Sequence, residues 1–201
     1  TTRRGGPRGP PCPDGKPYSP NAHLSEDTVP FVDMANGPRQ RGFATPQIYE
    51  AGLADGLLII EDLGSEPVVA GDPPAPIEER YEVAVDLLLS LHRRKLPDRL
   101  PIGPRKEYLL PPYDMDAFLI AAELLLDWYL TSADVKVTDR LRNEFTRLWR
   151  DALQPAIDAP ATWVLRDYHS PNLLWLPQRD GVARIGLLDF QDAMMGPPAY
   201  D

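Results

Sequence analysis

The sequence predicts an α+β fold in two unequal lobes, a small first one and a larger, mainly helical second one. Three observations carry this expectation. Three stretches in the middle of the chain repeat apolar residues at helical spacing. Short apolar segments separated by polar turns, the pattern of strands, lie on both sides of them. A Pro-rich stretch at residues 71–76 divides the chain into residues 26–72 and 73–201, with an irregular tail at 1–25.

The tail is rich in Gly, Pro and Arg and has no apolar periodicity. Its run Gly5-Gly6-Pro7-Arg8-Gly9 lacks the flanking strand and helix that a phosphate-cradling loop needs. From Glu26 a helix is expected, carrying Phe31, Val32, Met34 and Ala35. Asn36-Gly37-Pro38 should interrupt it, because proline has no N–H to donate and clashes with the preceding turn. Residues 45–50 and 57–61 read as strands, the second containing Leu57-Leu58-Ile59-Ile60, and Glu61-Asp62-Leu63-Gly64 turns the chain.

The first helix of the second lobe is expected over residues 77–95, with Tyr81, Ala84, Val85, Leu88 and His92 on one face and His92 as a buried structural histidine. The next, over 115–130, carries Phe118, Ala122, Leu125 and Tyr129, with Trp128 and Tyr129 read as core. The third, over 138–153, carries Leu141, Phe145, Leu148 and Ala152 and is closed by Pro155. Beyond Pro160, residues 162–165, 173–176 and 184–188 read as short strands.

Composition narrows the function classes. With 43% apolar and 25% charged residues the chain has the profile of a soluble globular protein. A net charge of −9 argues against a nucleic-acid or anionic-membrane surface. The single cysteine, Cys12, forms no internal disulfide and no Cys-ligated zinc cluster. The longest apolar run, Ala117 to Ala122, is far short of the ~20 residues that span a bilayer. A cytoplasmic protein acting on a small molecule is expected, without nucleic-acid or membrane partners. The start at Thr1 and the stop at Asp201 read as a segment of a longer protein.

The chemistry is concentrated in two places. Arg166-Asp167-Tyr168-His169-Ser170-Pro171-Asn172 lies between two expected strands, and Leu188-Asp189-Phe190-Gln191-Asp192 follows the next pair. Phosphoryl transfer needs a carboxylate to orient and deprotonate the attacking hydroxyl, and oxygen ligands for a Mg²⁺ on the nucleotide phosphates. An acid, an amide five positions on, and a second acid at a strand end supply that set. Asp and Asn also favour plain turns; the spacing joined to Asp189 argues for the catalytic reading.

These residues resemble the kinase catalytic loop and its metal-binding turn, and the wording is similar to the aminoglycoside phosphotransferase family of kinase-like small-molecule kinases. Within that family, residues 166–172, 189–193 and 196–201 are most similar to bacterial anomeric kinases of N-acetylmuramate and N-acetylglucosamine. Leu110-Pro111-Pro112-Tyr113-Asp114, Asp127-Trp128-Tyr129-Leu130, Phe31-Val32-Asp33 and Arg41-Gly42-Phe43 match too. The resemblance implies a protein-kinase-like two-lobe fold, incomplete at both ends, using ATP and Mg²⁺. It implies Asp167 as the base, Asn172 and Asp189 as metal ligands, and Asp192 near phosphate or substrate. Glu61, Asp62 and Leu63 become the hinge that receives adenine, and Arg166 and His169 support the loop.

The sequence departs from the pattern in three places. Leu165 stands where kinase loops often carry His. The break at Asn36-Gly37-Pro38 falls in the helix that positions the nucleotide, where Asp33 stands in for the usual acid. No glycine-rich strand pair or lysine strand is visible in residues 1–25; Lys16, in a turn-like setting, is not assigned to phosphate. An aminoglycoside or other small-molecule kinase and a non-catalytic pseudokinase or binding scaffold remain the alternatives. A Mg²⁺-dependent phosphatase lacks its acidic nucleophile motif.

Overall fold

The computed structural model describes residues 28–53, 55–102 and 106–201. The expected tail, with Lys16 and the glycine run, lies outside them. The first described element is helix α1, Val29–Arg39, with Pro30 in its first turn, where a missing N–H costs nothing. The expected break is not there: α1 runs through Asn36 and Gly37 to Pro38, its penultimate residue. Gly37 has no Cβ to clash with the proline ring. Around it, the Arg41 side chain donates to the Gly37 carbonyl at 2.8 Å, and Gln40 N–H reaches the Asn36 carbonyl at 3.0 Å. A side chain at Gly37 would press on Leu100 and Trp163, so the same glycine lets α1 sit close to the core.

Strands β1 (Ile48–Gly52) and β2 (Leu57–Ile60) form an antiparallel hairpin with a bulge near Ile48. The first begins later than expected, because Thr45 is buried with its hydroxyl donating to the Ala35 carbonyl and Ala44 bridges to Gly186. The Pro-rich stretch folds into two-residue strands, β3 (Val69–Ala70) and β4 (Ala75–Pro76).

Helix α2, Glu78–His92, buries Val83, Ala84, Leu87 and Leu91. This face is rotated from the expected one, and Val85 is 55% exposed. A hairpin absent from the sequence reading follows, β5 (Arg99–Ile102) with β6 (Lys106–Leu109). Helix α3, Met115–Leu124, is capped by Asp114 and continues as a π-helical turn, Leu125–Leu130. Its buried residues are Ala117, Leu119 and Leu126, while Trp128 and Tyr129 are 56% and 64% exposed and not core. Helix α4, Asp139–Ile157, passes through Pro155 instead of ending there; so near the C-terminus the proline removes one bond from a turn already fraying. It buries no residue and is tied to α3 by Arg142, paired with Glu123 and Asp127.

The remaining strands are β7 (Thr162–Val164), β8 (Leu173–Trp175), β9 (Ile185–Leu187) and β10 (Met194–Gly196), the last not expected. β8 pairs antiparallel with β9, and β7 with β10. The largest buried cluster joins Met34, Ala35 and Phe43 to Leu87 and Leu91 of α2, Trp163, and Leu173, Ile185 and Phe190 around the β8–β9 hairpin. The segments before and after that hairpin, 165–172 and 188–192, therefore stand on packed core at both ends.

Candidate active site

The loop between β7 and β8 is shaped by its own hydrogen bonds. Asp167 N–H reaches the Leu165 carbonyl at 2.9 Å, His169 N–H the Asp167 carbonyl at 3.0 Å, and Asn172 N–H the His169 carbonyl at 2.9 Å. Residues Ser170–Asn172 form a short 3₁₀ turn that delivers the chain to β8. The Asn172 amide donates to the Asp167 carbonyl at 3.0 Å and lies 3.2 Å from His169 Nε2. For the second contact to be a hydrogen bond, Nε2 must be the bare ring nitrogen, with the proton on Nδ1. Both amide hydrogens are then engaged, and Oδ1 is the atom Asn172 has left to offer.

Asp189 joins the same frame through one backbone bond, Leu188 N–H to the Asn172 carbonyl at 2.9 Å. Asp189 has φ of 54°, in the left-handed region that Asp tolerates better than most residues, and its Oδ1 accepts from Gln191 Nε2 at 2.5 Å. The Asp167 carbonyl, the Asn172 amide and carbonyl, and the N–H of Leu188 just before Asp189 are therefore linked by consecutive hydrogen bonds. Among the described residues no group of three or more His, Cys, Asp or Glu side chains is placed to hold a metal. One Asn oxygen and one Asp carboxylate still suit Mg²⁺, which keeps several waters and takes phosphate oxygens for the rest of its shell.

Arg166 occupies a left-handed backbone conformation, φ 70°, with its guanidinium 5.4 Å from the centre of the Tyr113 ring. What holds it there was not foreseen. Asp201 accepts the N–H of Leu165 at 2.7 Å and of Arg166 at 2.9 Å, one carboxylate oxygen for each. Burial drives the Asp201 pKa up to about 6, against the two backbone hydrogen bonds that favour its charged form; the nearby Asp167 charge adds to the rise. His92 lies 3.9 Å from the same carboxylate, and burial lowers its pKa despite a hydrogen bond with the Trp163 backbone. Tyr168 anchors the loop from its other side by donating to the Ala84 carbonyl of α2 at 2.8 Å; burial, then the Asp201 charge, push its pKa upward.

The expected hinge residues follow β2. Glu61 N–H is committed to the Gln47 carbonyl at 2.7 Å, and Asp62 Oδ1 accepts Gly64 N–H at 2.8 Å. The Glu61 side chain is turned to Arg39, Gln47 and Arg179. Asp192 lies in the turn between β9 and β10. An apolar cavity of about 360 Å³, lined in part by Tyr113, Phe118, Trp149 and Tyr200, lies between α3, α4 and residues 197–200.

Loop, strand pair and second acid stand together on one packed hairpin. The chain belongs to the phosphotransferase enzyme family, whose profile matches residues 17–201. It is similar to N-acetylmuramate/N-acetylglucosamine kinases: 35% identical to that of Caulobacter vibrioides, covering 95% of this chain and 55% of the relative. The corresponding figures are 30% over 94% and 52% for Neisseria meningitidis serogroup B, and 29% over 88% and 48% for Pseudomonas aeruginosa. The chain thus spans about half the length of the curated relatives it matches. An ADP-bound aminoglycoside phosphotransferase superposes with a TM-score of 0.47 at 17% identity, covering 89% of this chain and 60% of that one. Among the described residues no helix is long and apolar enough to cross a membrane.

Proposed function

We propose that the protein is a kinase that transfers the terminal phosphoryl group of ATP to a hydroxyl of an N-acetylated amino sugar. The observation that carries this reading is the pair of bonds at Asn172, side chain to the Asp167 carbonyl and carbonyl to Leu188 N–H, which set an acid, an amide and a second acid on one frame. Asp167 orients the acceptor hydroxyl and takes its proton as the oxygen attacks the γ-phosphorus. Asn172, through Oδ1, and Asp189 hold Mg²⁺, which when bound neutralises charge on the phosphates. With Glu61 N–H already committed, adenine is read by the Glu61 carbonyl and Leu63 N–H, next to Asp62. Arg166 and His169 keep the loop in shape, and Asp192 lies toward phosphate or substrate. ATP as donor places the reaction in the cytoplasm.

The choice of acceptor is supported by the relatives and by charge. A polycationic aminoglycoside needs several carboxylates around its amines, whereas an N-acetylated sugar needs mainly hydrogen bonds. Of the three acids in residues 189–201, Asp201 is buried against the loop and Asp189 goes to the metal. The test is ADP release by the full-length protein, with ATP and Mg²⁺, on N-acetylmuramate, N-acetylglucosamine, kanamycin and choline. Turnover of either N-acetyl sugar is expected. Turnover of kanamycin or choline alone overturns the acceptor, and no nucleotide binding at all leaves a non-catalytic scaffold.

A further inference from the structure

We propose that Glu61 is a positioning residue whose carboxylate, shared by Arg39 and Arg179, locks the adenine-reading hinge to the hairpin that carries Asn172 and Asp189. The inference rests on the kinase reading above.

Glu61 Oε2 accepts from Arg39 Nη1 at 3.2 Å and from Gln47 N–H at 3.0 Å, while Oε1 accepts from Arg179 Nη2 at 2.6 Å. Arg39 donates further to the Thr45 carbonyl at 2.9 Å and to Gln47 Oε1 at 3.2 Å. The Arg39, Glu61 and Arg179 side chains are 35%, 22% and 24% exposed, enough shielding for the pairs to matter. Burial alone would raise the Glu61 pKa, but the Gln47 N–H and the two guanidinium charges outweigh it and hold the carboxyl below its usual value.

The positions of the three partners give the network its meaning. Arg39 ends α1, and Glu61 follows β2 at the start of the hinge. Arg179 is 118 positions from Glu61, in the loop joining β8 to β9. At the other end of that hairpin, β8 follows Asn172 and β9 precedes Asp189. The three paired positions Leu173–Leu187, Leu174–Gly186 and Trp175–Ile185 make the hairpin a short lever. Backbone bonds from Trp175 to Glu66 and from Leu187 to Ala44, with the buried cluster of Ala44, Leu63 and Leu176, hold the segments side by side near the strands. The charged contacts at Glu61 brace the far end of the hairpin, at Arg179, so that adenine and phosphates meet their sites in one alignment. With two arginines to one carboxylate, removing the Glu61 charge leaves like charges facing each other.

The experiment uses the full-length protein and displacement of a fluorescent ATP analogue by two ligands. Mg²⁺–ATP spans hinge and metal residues, whereas adenosine touches the hinge alone. Glu61→Gln and Arg179→Gln are each expected to weaken Mg²⁺–ATP about 5-fold, the upper range for partly exposed ion pairs, and adenosine less than about 2-fold. The double variant should bind no worse than Glu61→Gln, since contacting residues are not additive, and Arg179→Lys should recover part of the loss. If Glu61→Gln does not fold, Arg179→Gln against Arg179→Lys makes the same comparison. Unchanged affinity, additive losses, or equal losses for both ligands would overturn the positioning role. A wild-type protein that binds neither ligand removes the kinase reading and this role together.

Discussion

Asp201 holds the backbone of Arg166 by a 2.9 Å hydrogen bond, at the one residue of the loop that sits in a left-handed conformation. Such a conformation costs a non-glycine residue about 1–2 kcal/mol. It persists because a buried carboxylate takes two successive N–H groups, those of Leu165 and Arg166, just before Asp167. The residue proposed as base thus inherits its place from an acid far along the chain.

The Asp201 carboxyl has a folded pKa of about 6 against the ordinary aspartate value of 3.8. The folded state therefore holds its proton more tightly than the unfolded one. The stabilising contribution of this group is full below about pH 4 and is lost as pH rises through about 6. Relative to Asp201→Asn, which does not titrate, the wild type is expected to lose on the order of 2–3 kcal/mol of stability between pH 4 and 7. Urea unfolding of both proteins across that range checks it. A difference that stays flat, or grows in favour of the wild type, would refute the buried ionisation.

Asp167→Asn preserves shape and removes basicity. The variant is expected to fold and to bind ATP nearly as the wild type does, while turnover falls at least ~10²-fold, the contribution of a positioned general base. Nucleotide titration beside steady-state ADP release separates the two effects. Retention of most turnover would mean that another group takes the proton.

The segment proposed as catalytic could be picked out of the sequence because its residues are local: Asp167, His169 and Asn172 bond to one another within six positions, and Asp189 follows a strand. Asp201 was not, because it acts on backbone N–H groups 35 and 36 positions away, which no side-chain pattern encodes. The orientation of α2 was missed for a different reason. Val83, Ala84, Val85, Leu87, Leu88, Leu89 and Leu91 leave it apolar nearly all round, so periodicity could not choose between faces. At Pro38 and Pro155 proline was read as a stop, but both stand within the last turn of their helices, where the missing N–H costs a single bond and little helix follows to be disrupted.

Close packing makes its own prediction at Gly196 in β10. A Cβ there would meet Tyr113 Cβ at 2.9 Å and Val164 Cγ2 at 3.2 Å. The Tyr113 Cβ is fixed to its own backbone, whose N–H bonds the Met195 carbonyl at 2.7 Å, so it cannot swing aside as a side-chain end can. At Gly186 the closest contacts, 3.1 and 3.2 Å, are with the flexible ends of Leu63 and Leu176. Gly196→Ala is expected to cost about 1–3 kcal/mol, and Gly186→Ala less. Chemical denaturation of the two variants ranks them, and the reverse order would show that the Tyr113 contact relaxes freely.

The residues proposed to hold Mg²⁺ are tested by binding. Asn172→Ala removes Oδ1 together with the amide that ties Asp167 to His169, so it should loosen the loop as well as the metal. Asp189→Asn is the cleaner change, because Asn tolerates the φ of 54° that would strain alanine, and only the charge is lost. Mg²⁺ has few protein ligands, so loss of one charged oxygen should move the Mg²⁺ midpoint for binding a fluorescent ATP analogue upward by about 10-fold or more. Binding of the analogue without Mg²⁺ should change little in Asp189→Asn, since the adenine contacts are untouched. Midpoints equal to the wild type in both variants would remove Asn172 and Asp189 from the metal site and leave them as structural members of the loop.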